Sequence, residues 1–353
     1  MDNKDFLIAV DLGYGQIKGI NEEGKRIIFP SILSPGKDRS LDKVFNNIKD
    51  RIIKNLHVTV DFGSGSIKEY FLGDLAKNQL ANSSFLNKEN KTNSEENKVF
   101  LATAVALLMP NTISSDRSIH ISTGLPLEHF IKQSEEFNEM LDAFRCTVDM
   151  PDQNIKKKIS FGRITQFPQG GGAIYTTMFS NIEKYLIADT YVGLIDVGFK
   201  TTDVVVFRIS DREDPIFEFD QSMSITLDNM GMSGIMSIMD KAFTDQSKDG
   251  DKLDIAQITT LNETGSIFFK GNVVDLSKRL AAARKDLATT IINQLDSIWG
   301  AKKNSFNSIM VSGGGGLVLF PYLKAIQPEI TELIKDPVMA NAIGYLQYAQ
   351  SSR

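Results

Sequence analysis

The chain has 353 residues and a mass of 39.2 kDa, with 42% hydrophobic and 24% charged residues. That is ordinary globular composition with room for about two domains, so disordered, collagen-like and disulfide-scaffold chains are excluded. Thirty-nine Lys and Arg against 44 Asp and Glu leave a net charge of −5, which excludes a uniformly basic nucleic-acid-binding surface. One cysteine (Cys146) and three scattered histidines (His57, His120, His129) offer neither a thiolate cluster nor histidines at metal-ligand spacing. The first apolar run is too short for a signal or a membrane span, so a cytoplasmic, reducing location is the expectation.

Residues 6–10 (FLIAV) form a continuous apolar run that stops at Asp11, Gly13 and Gly15. This predicts a strand buried on both faces and ending in a glycine turn. A second strand pattern follows at 16–20, with 21–24 (NEEG) as the next turn. A dinucleotide fold would instead place a helix directly after the glycines. From 30 to 115 the pattern is less regular, with a helix expected near 41–55 and paired strands at 58–61 and 67–72. The polar tract 82–98 reads as a solvated loop. The Ala-rich run 100–108 predicts a helix stopped by Pro110. Residues 119–126 predict a strand ending in a Gly/Pro turn, 128–144 a helix, and 155–165 a strand or hairpin.

A second strand-turn-strand unit occupies 191–207. Its first strand ends in Asp196, its turn holds Gly198, and a β-branched strand follows. The match to Asp11 and Gly13 predicts two similar domains in tandem. Residues 277–300 carry an apolar helical stripe of Leu280, Leu287, Ile291, Leu295 and Ile298, with Ser277 as the expected cap and Gly300 at the end. A short strand at 308–312 runs into Gly313, Gly314, Gly315 and Gly316, and 337–344 opens a C-terminal helix. Met223, Met230, Met232, Met236 and Met239 read as deformable packing, with a subunit contact surface as the alternative. Phe161 and Phe167 read as core.

Glycine turns whose N–H groups converge make anion cradles. No Gly-x-x-x-x-Gly-Lys-Ser/Thr is present, so a P-loop is excluded. Two Asp–Gly hairpins can grip a triphosphate instead. Asp11 and Asp196 would hold magnesium, largely through waters, and Lys18 would neutralise phosphate charge. Each element alone has an ordinary reading: a turn, a solvated lysine, a glycine connection. Their order along the chain carries more weight.

That order resembles the actin-like ATPase superfamily. Asp11, Gly13, Tyr14, Gly15, Gln16 and Lys18 are similar to its first phosphate motif, and 166–173 (QFPQGGGA), with Gln169, to its first connecting segment. Asp196, Gly198, Lys200, Thr201, Thr202 and Asp203 are similar to the second phosphate motif. The run 311–316 (VSGGGG), with Gly313, Gly314 and Gly315, matches the adenosine motif, and 339–344 (MANAIG) the second connecting helix. Short strings at 29–31 (FPS), 72–76 (LGDLA) and 122–126 (STGLP) narrow the resemblance to the bacterial plasmid-segregation actins, the ParM/StbA group.

The resemblance implies an α/β, two-domain actin-like ATPase fold, each domain a mixed sheet flanked by helices, with nucleotide in the interdomain cleft. Domain I would be 1–165 with the helix 337–353 packed back on it, and domain II 166–336. It further implies ATP or GTP with Mg²⁺, and phosphate contacts from both glycine turns, Thr201, Thr202 and Lys18. Gln169 would orient the attacking water, with Asp203 as proton acceptor or as a structural turn carboxylate. Gly313–Gly315 would lie against the nucleoside. Lys278, Arg279 and Arg284 face either the nucleoside or, as first expectation, solvent. The implied function is a filament-forming ATPase of the bacterial cytosol that segregates plasmid DNA through a ParR-like adaptor bound to centromere DNA, without touching nucleic acid or membrane itself. The alternative is a small-molecule kinase of the same fold.

Overall fold

The computed structural model describes residues 5–37, 39, 52–63, 67–79, 84–85, 94–110, 118–180, 182–210, 216–247 and 250–353. The chain divides into two compact units, 1–172 with 341–353, and 173–340.

The first unit is built on a ten-stranded sheet. Its strands are β1 (Asp5–Leu12), β2 (Gln16–Asn21), β3 (Arg26–Pro30), β4 (Ile32–Pro35), β5 (Leu56–Asp61), β6 (Lys68–Leu72), β7 (Ser84–Phe85), β8 (Ser118–Thr123), β9 (Arg145–Met150) and β10 (Ile155–Gln166), in the order β3-β2-β1-β8-β10-β9-β5-β6-β4-β7. β1 is buried from Phe6 to Leu12, as its unbroken apolar run requires. It pairs antiparallel with β2 and parallel with β8. β10 does two jobs: Ile155–Ser160 pairs with β9, then the strand shifts register near Gly162 and pairs parallel with β8.

Helix α1 (Glu95–Leu108) is buried continuously from Val99 to Leu108, which is why its sequence shows no polar stripe. Each Leu, Val or Phe buried there contributes about 1.5–3 kcal/mol relative to exposure. The start of α1 overturns the loop reading of the polar tract at 94–98, although Glu95 and Glu96 are exposed. The Ser94 side chain caps the Asn97 N–H, Glu95 and Glu96 sit at the positive end of the helix, and Asn97 is buried. The polar residues there are capping chemistry. Most of 82–93, and most of the helix expected near 41–55, lie outside the described residues; Ile52–Lys54 is a single 3₁₀ turn. α2 (Leu127–Asp142) follows β8.

The chain leaves the first unit through α3 (Gly171–Ser180). The second unit carries β11 (Tyr191–Val197), β12 (Thr202–Ser210), β13 (Ile216–Phe219), β14 (Ile225–Leu227), β15 (Ser266–Phe269), β16 (Asn272–Asp275), β17 (Phe306–Ser312) and β18 (Thr331–Leu333). Its main sheet runs β13-β12-β11-β17-β18, with β14 also on β12; β15 and β16 pair separately. Its longer helices are α4 (Met232–Gln246), α5 (Ile255–Thr264), α6 (Ser277–Trp299) and α7 (Gly313–Ile326). α8 (Ala340–Ser351) returns the chain to the first unit.

α6 buries Leu280, Ile291 and Leu295 of the expected stripe, together with Ala283, Ala288, Ile292 and Trp299, while Leu287 and Ile298 are half-buried. Ser277 is not its cap. Asp275 accepts the Ser277 N–H at 2.9 Å and does the capping work two residues earlier. Arg284 is not on a solvated face either: its Nη2 donates to the Asn262 carbonyl at 2.9 Å, holding the last turn of α5. Lys278 and Arg279 are exposed. The methionines are packing, with Met223, Met232 and Met239 buried in the second unit's core and Met230 and Met236 against it. The Trp299 indole N–H reaches the Met223 carbonyl at 3.1 Å.

Candidate functional site

In the first unit the β1–β2 ladder places Asp11 directly opposite Lys18. Lys18 Nζ lies 3.1 Å from Asp11 Oδ2, and Gln169 Nε2 donates to Asp11 Oδ1 at 3.0 Å. Three residues assigned separate roles from sequence are thus one buried network, with Asp11 as its hub. In the turn between them, Gly13 is needed because a Cβ there would meet the Gln16 carbonyl at 2.6 Å. The Ser31 hydroxyl donates to the Gly13 carbonyl at 2.6 Å and the Ser31 N–H to the Gly15 carbonyl at 3.0 Å. Tyr14 turns inward and is buried, Gly15 is half-buried and Gln16 is exposed.

Gln169 is held from behind. Its own N–H donates to the Leu125 carbonyl at 2.8 Å, and the next N–H, of Gly170, donates to Asn341 Oδ1 at 2.9 Å. Asn341 opens α8, which crosses the start of α3 so closely that a Cβ on Gly344 would lie 1.9 Å from the Gly172 carbonyl oxygen. Ser31 and Asn341 are supports that the sequence reading did not assign. Ser31 lies in a string already noted, and Asn341 in the connecting helix.

In the second unit the same hairpin recurs. Gly198 N–H donates to the Thr201 carbonyl at 2.9 Å, closing the β11–β12 turn. The turn is fixed from outside by α4, whose Met232 and Ser233 N–H groups donate to the Gly198 and Phe199 carbonyls at 3.2 and 2.7 Å. Thr202 Oγ1 donates to the Met230 carbonyl at 2.5 Å, so that hydroxyl holds the turn rather than pointing free. Thr201 is buried and Lys200 half-buried.

One rung of this sheet is polar across four strands: Thr226, Asp203, Asp196 and Ser312 are register partners in turn. Thr226 donates to Asp203 Oδ1 at 2.6 Å. Two carboxylates directly opposite each other repel, unlike the Asp11–Lys18 rung of the first unit. Ser312 is buried and its Oγ has no hydrogen-bond partner among the described residues. The four glycines after it do not form a loose connection; they open α7. Gly313 has φ +85°, and a Cβ there would sit 2.4 Å from both Asp196 Oδ1 and the Val197 carbonyl, so only glycine admits the helix this close to the carboxylate. Gly315 also packs against Val197, where a Cβ would meet Cγ1 at 2.7 Å, and Gly314 is half-buried.

The donor set is all oxygen. Among the described residues no group of three or more His, Cys, Asp or Glu converges. No described helix is long and apolar enough to cross a membrane.

Residues 9–172 match the family model for the N-terminal domain of actin-like proteins, and 194–325 that for the C-terminal domain of archaeal MreB-like actin homologues. The chain is 56% identical to the subunit of a 15-stranded ParM filament from Clostridium botulinum, covering 99% of each chain at a TM-score of 0.93. A non-polymerisable quadruple mutant of the pCBH ParM is 55% identical, covering 98% of this chain and 99% of its own, at a TM-score of 0.89. An archaeal actin homologue of Thermoplasma volcanium is 27% identical over 98% of this chain and 99% of its own. An archaeal actin homologue in complex with ADP, at 22% identity and a TM-score of 0.77 over 98% and 99% of the two chains, shares the fold. This chain belongs to the actin-like proteins, and within them to the ParM group.

Proposed function

We propose that this chain is a nucleoside triphosphatase that assembles into filaments with bound nucleotide and disassembles after hydrolysis, and that it segregates plasmid DNA in the bacterial cytosol through a separate DNA-binding adaptor. The observation that carries the chemistry is the Lys18–Asp11–Gln169 network. With Gln169 Nε2 committed to Asp11, its Oε1 is left to accept a hydrogen from water, which turns a water lone pair outward for attack on phosphorus. An amide cannot take the proton, so Gln169 orients and Asp203 accepts. The N–H groups of the Gly13–Gly15 turn and of Phe199–Thr201 bind phosphate oxygens, Lys18 adds charge, and Gly313–Gly315 admit the nucleoside to the backbone. Asp11 and Asp196 would hold Mg²⁺ largely through waters, and the ion would supply charge neutralisation on the phosphates. Assembly is supported by end-to-end similarity to a protein that exists as a filament. A net charge of −5 fits DNA being reached through an adaptor.

The test is light scattering with simultaneous phosphate release after adding Mg-ATP or Mg-GTP. Scattering should rise first, phosphate should follow, and Gln169→Ala should keep the rise while slowing the release. Phosphate transfer that requires a small-molecule acceptor, with no scattering at any protein concentration, would favour the kinase instead.

A further inference from the structure

β15 and β16 form a hairpin outside the second unit's main sheet. Its two-residue loop, Lys270 and Gly271, has φ +45° and +84°, the pair of left-handed residues that a type I′ turn demands. Lys270 Nζ is tied to both carboxylate oxygens of Asp251 at 2.9 and 2.7 Å. Strand alternation turns Ile267 and Phe269 inward. Ile267 is buried, and Phe269 meets Phe243 edge-on with ring centroids 4.9 Å apart. Val274, opposite Ile267, packs on the same core. The hairpin is therefore well anchored.

On its other face an apolar pair lies open beside Ser266 and the exposed Asp275. Phe268 and Val273 are each 70% exposed, and the ladder sets them directly opposite one another. A single exposed apolar residue needs no explanation. A cross-strand Phe–Val pair on a two-stranded ribbon does, because sheets ordinarily guard such open strands with charge, proline or a covering element. Neither residue contributes to the core that holds the hairpin, so folding alone gives no reason for it.

We propose that the Phe268–Val273 face is a contact between copies of this chain in the assembled filament. The inference rests on the self-association reading above, and it takes a second copy as occupant because a relative 56% identical from end to end exists as a 15-stranded filament. The contact is heterologous: the pair docks on a different patch of the neighbouring copy, as an open, non-closing series requires.

Cys146 is the one cysteine, it is buried, and burial pushes its thiol up to about 12. A Val273→Cys variant can therefore be labelled at that position alone with an environment-sensitive fluorophore and doped as a minority into unlabelled protein. Assembly should blue-shift the label in step with sedimentation. Phe268→Ser should raise the critical concentration at least about tenfold, equivalent to ~1.4 kcal/mol per contact, while affinity for a fluorescent nucleotide in the unassembled protein stays within about twofold. Sedimentation of the doped protein with no spectral change overturns this inference alone, as does Phe268→Ser assembling at the wild-type concentration. Failure of unlabelled wild-type protein to sediment with any nucleotide removes the self-association reading, and this one with it.

Discussion

Gly344→Ala tests how closely α8 crosses the start of α3. In an ordinary helix the change stabilises, because alanine has about 1 kcal/mol better helix propensity. Here the added Cβ lies 1.9 Å from the Gly172 carbonyl oxygen, 2.3 Å from its carbon and 2.6 Å from its Cα. All three are backbone atoms, so no rotamer change relieves the clash and α8 must move by more than an ångström. Overpacking against side chains costs roughly 1–3 kcal/mol, and a backbone wall puts this case at the upper end or beyond. Subtracting the propensity gain leaves a net loss of about 2 kcal/mol, or roughly 4–8 °C in melting temperature for a unit of this size. The matched control is Gly234→Ala in α4, where the nearest atom to a new Cβ is the Asn229 carbonyl oxygen at 3.8 Å; it should gain about 0.5–1 kcal/mol. Both are read by thermal unfolding followed by circular dichroism in nucleotide-free protein. If Gly344→Ala melts at or above the wild-type temperature, the close crossing is not a constraint and the argument fails.

Asn341→Ala removes the acceptor for the buried Gly170 N–H and should cost about 1–3 kcal/mol in a denaturant titration, while slowing phosphate release by loosening Gln169. Asp203→Asn keeps an acceptor for Thr226 but removes one of two facing carboxylates. Without divalent cation it should unfold about 0.5 kcal/mol later than wild type, and its phosphate release should fall about 100-fold. His120 is buried on β8 with Nε2 2.8 Å from Thr165 Oγ1, and burial, followed by repulsion from Arg163 and Arg353, lowers its pKa to about 4. The unfolded chain then binds a proton that the folded one refuses. Stability is full above about pH 6.5 and falls between there and pH 4, by about 2 kcal/mol after allowing for screening. Urea midpoints at pH 7 and pH 5 should show this slope, and His120→Asn should flatten it.

Much of the first layer was legible in the residues themselves. An apolar run ending in Asp and Gly, then a β-branched run, marks a hairpin wherever it occurs, and both copies fold that way. The α6 stripe was visible because a 3.6-residue period survives even where two of its members are only half-buried. What stayed hidden depended on contacts far along the chain. Gly170 and Asn341 meet across 171 positions, and nothing local to either distinguishes that asparagine from a solvated one. Polar residues misled where they served backbone rather than solvent: Ser94 at the start of α1, Asp275 before α6, and Arg284 at the end of α5. Composition reports that such residues are hydrophilic. It does not report that a helix end has orphan N–H or C=O groups for them to satisfy.

The two hairpins repeat one pattern with a different pair at the aspartate's rung. In both, the residue facing the aspartate stands seven positions after it, yet it is Lys18 in one copy and Asp203 in the other. At that rung the first copy sets opposite charges face to face, whereas the second sets two carboxylates face to face. With two carboxylates facing each other, the second hairpin should depend more on divalent cations and on ionic strength than the first, and a chelator should lower its stability more.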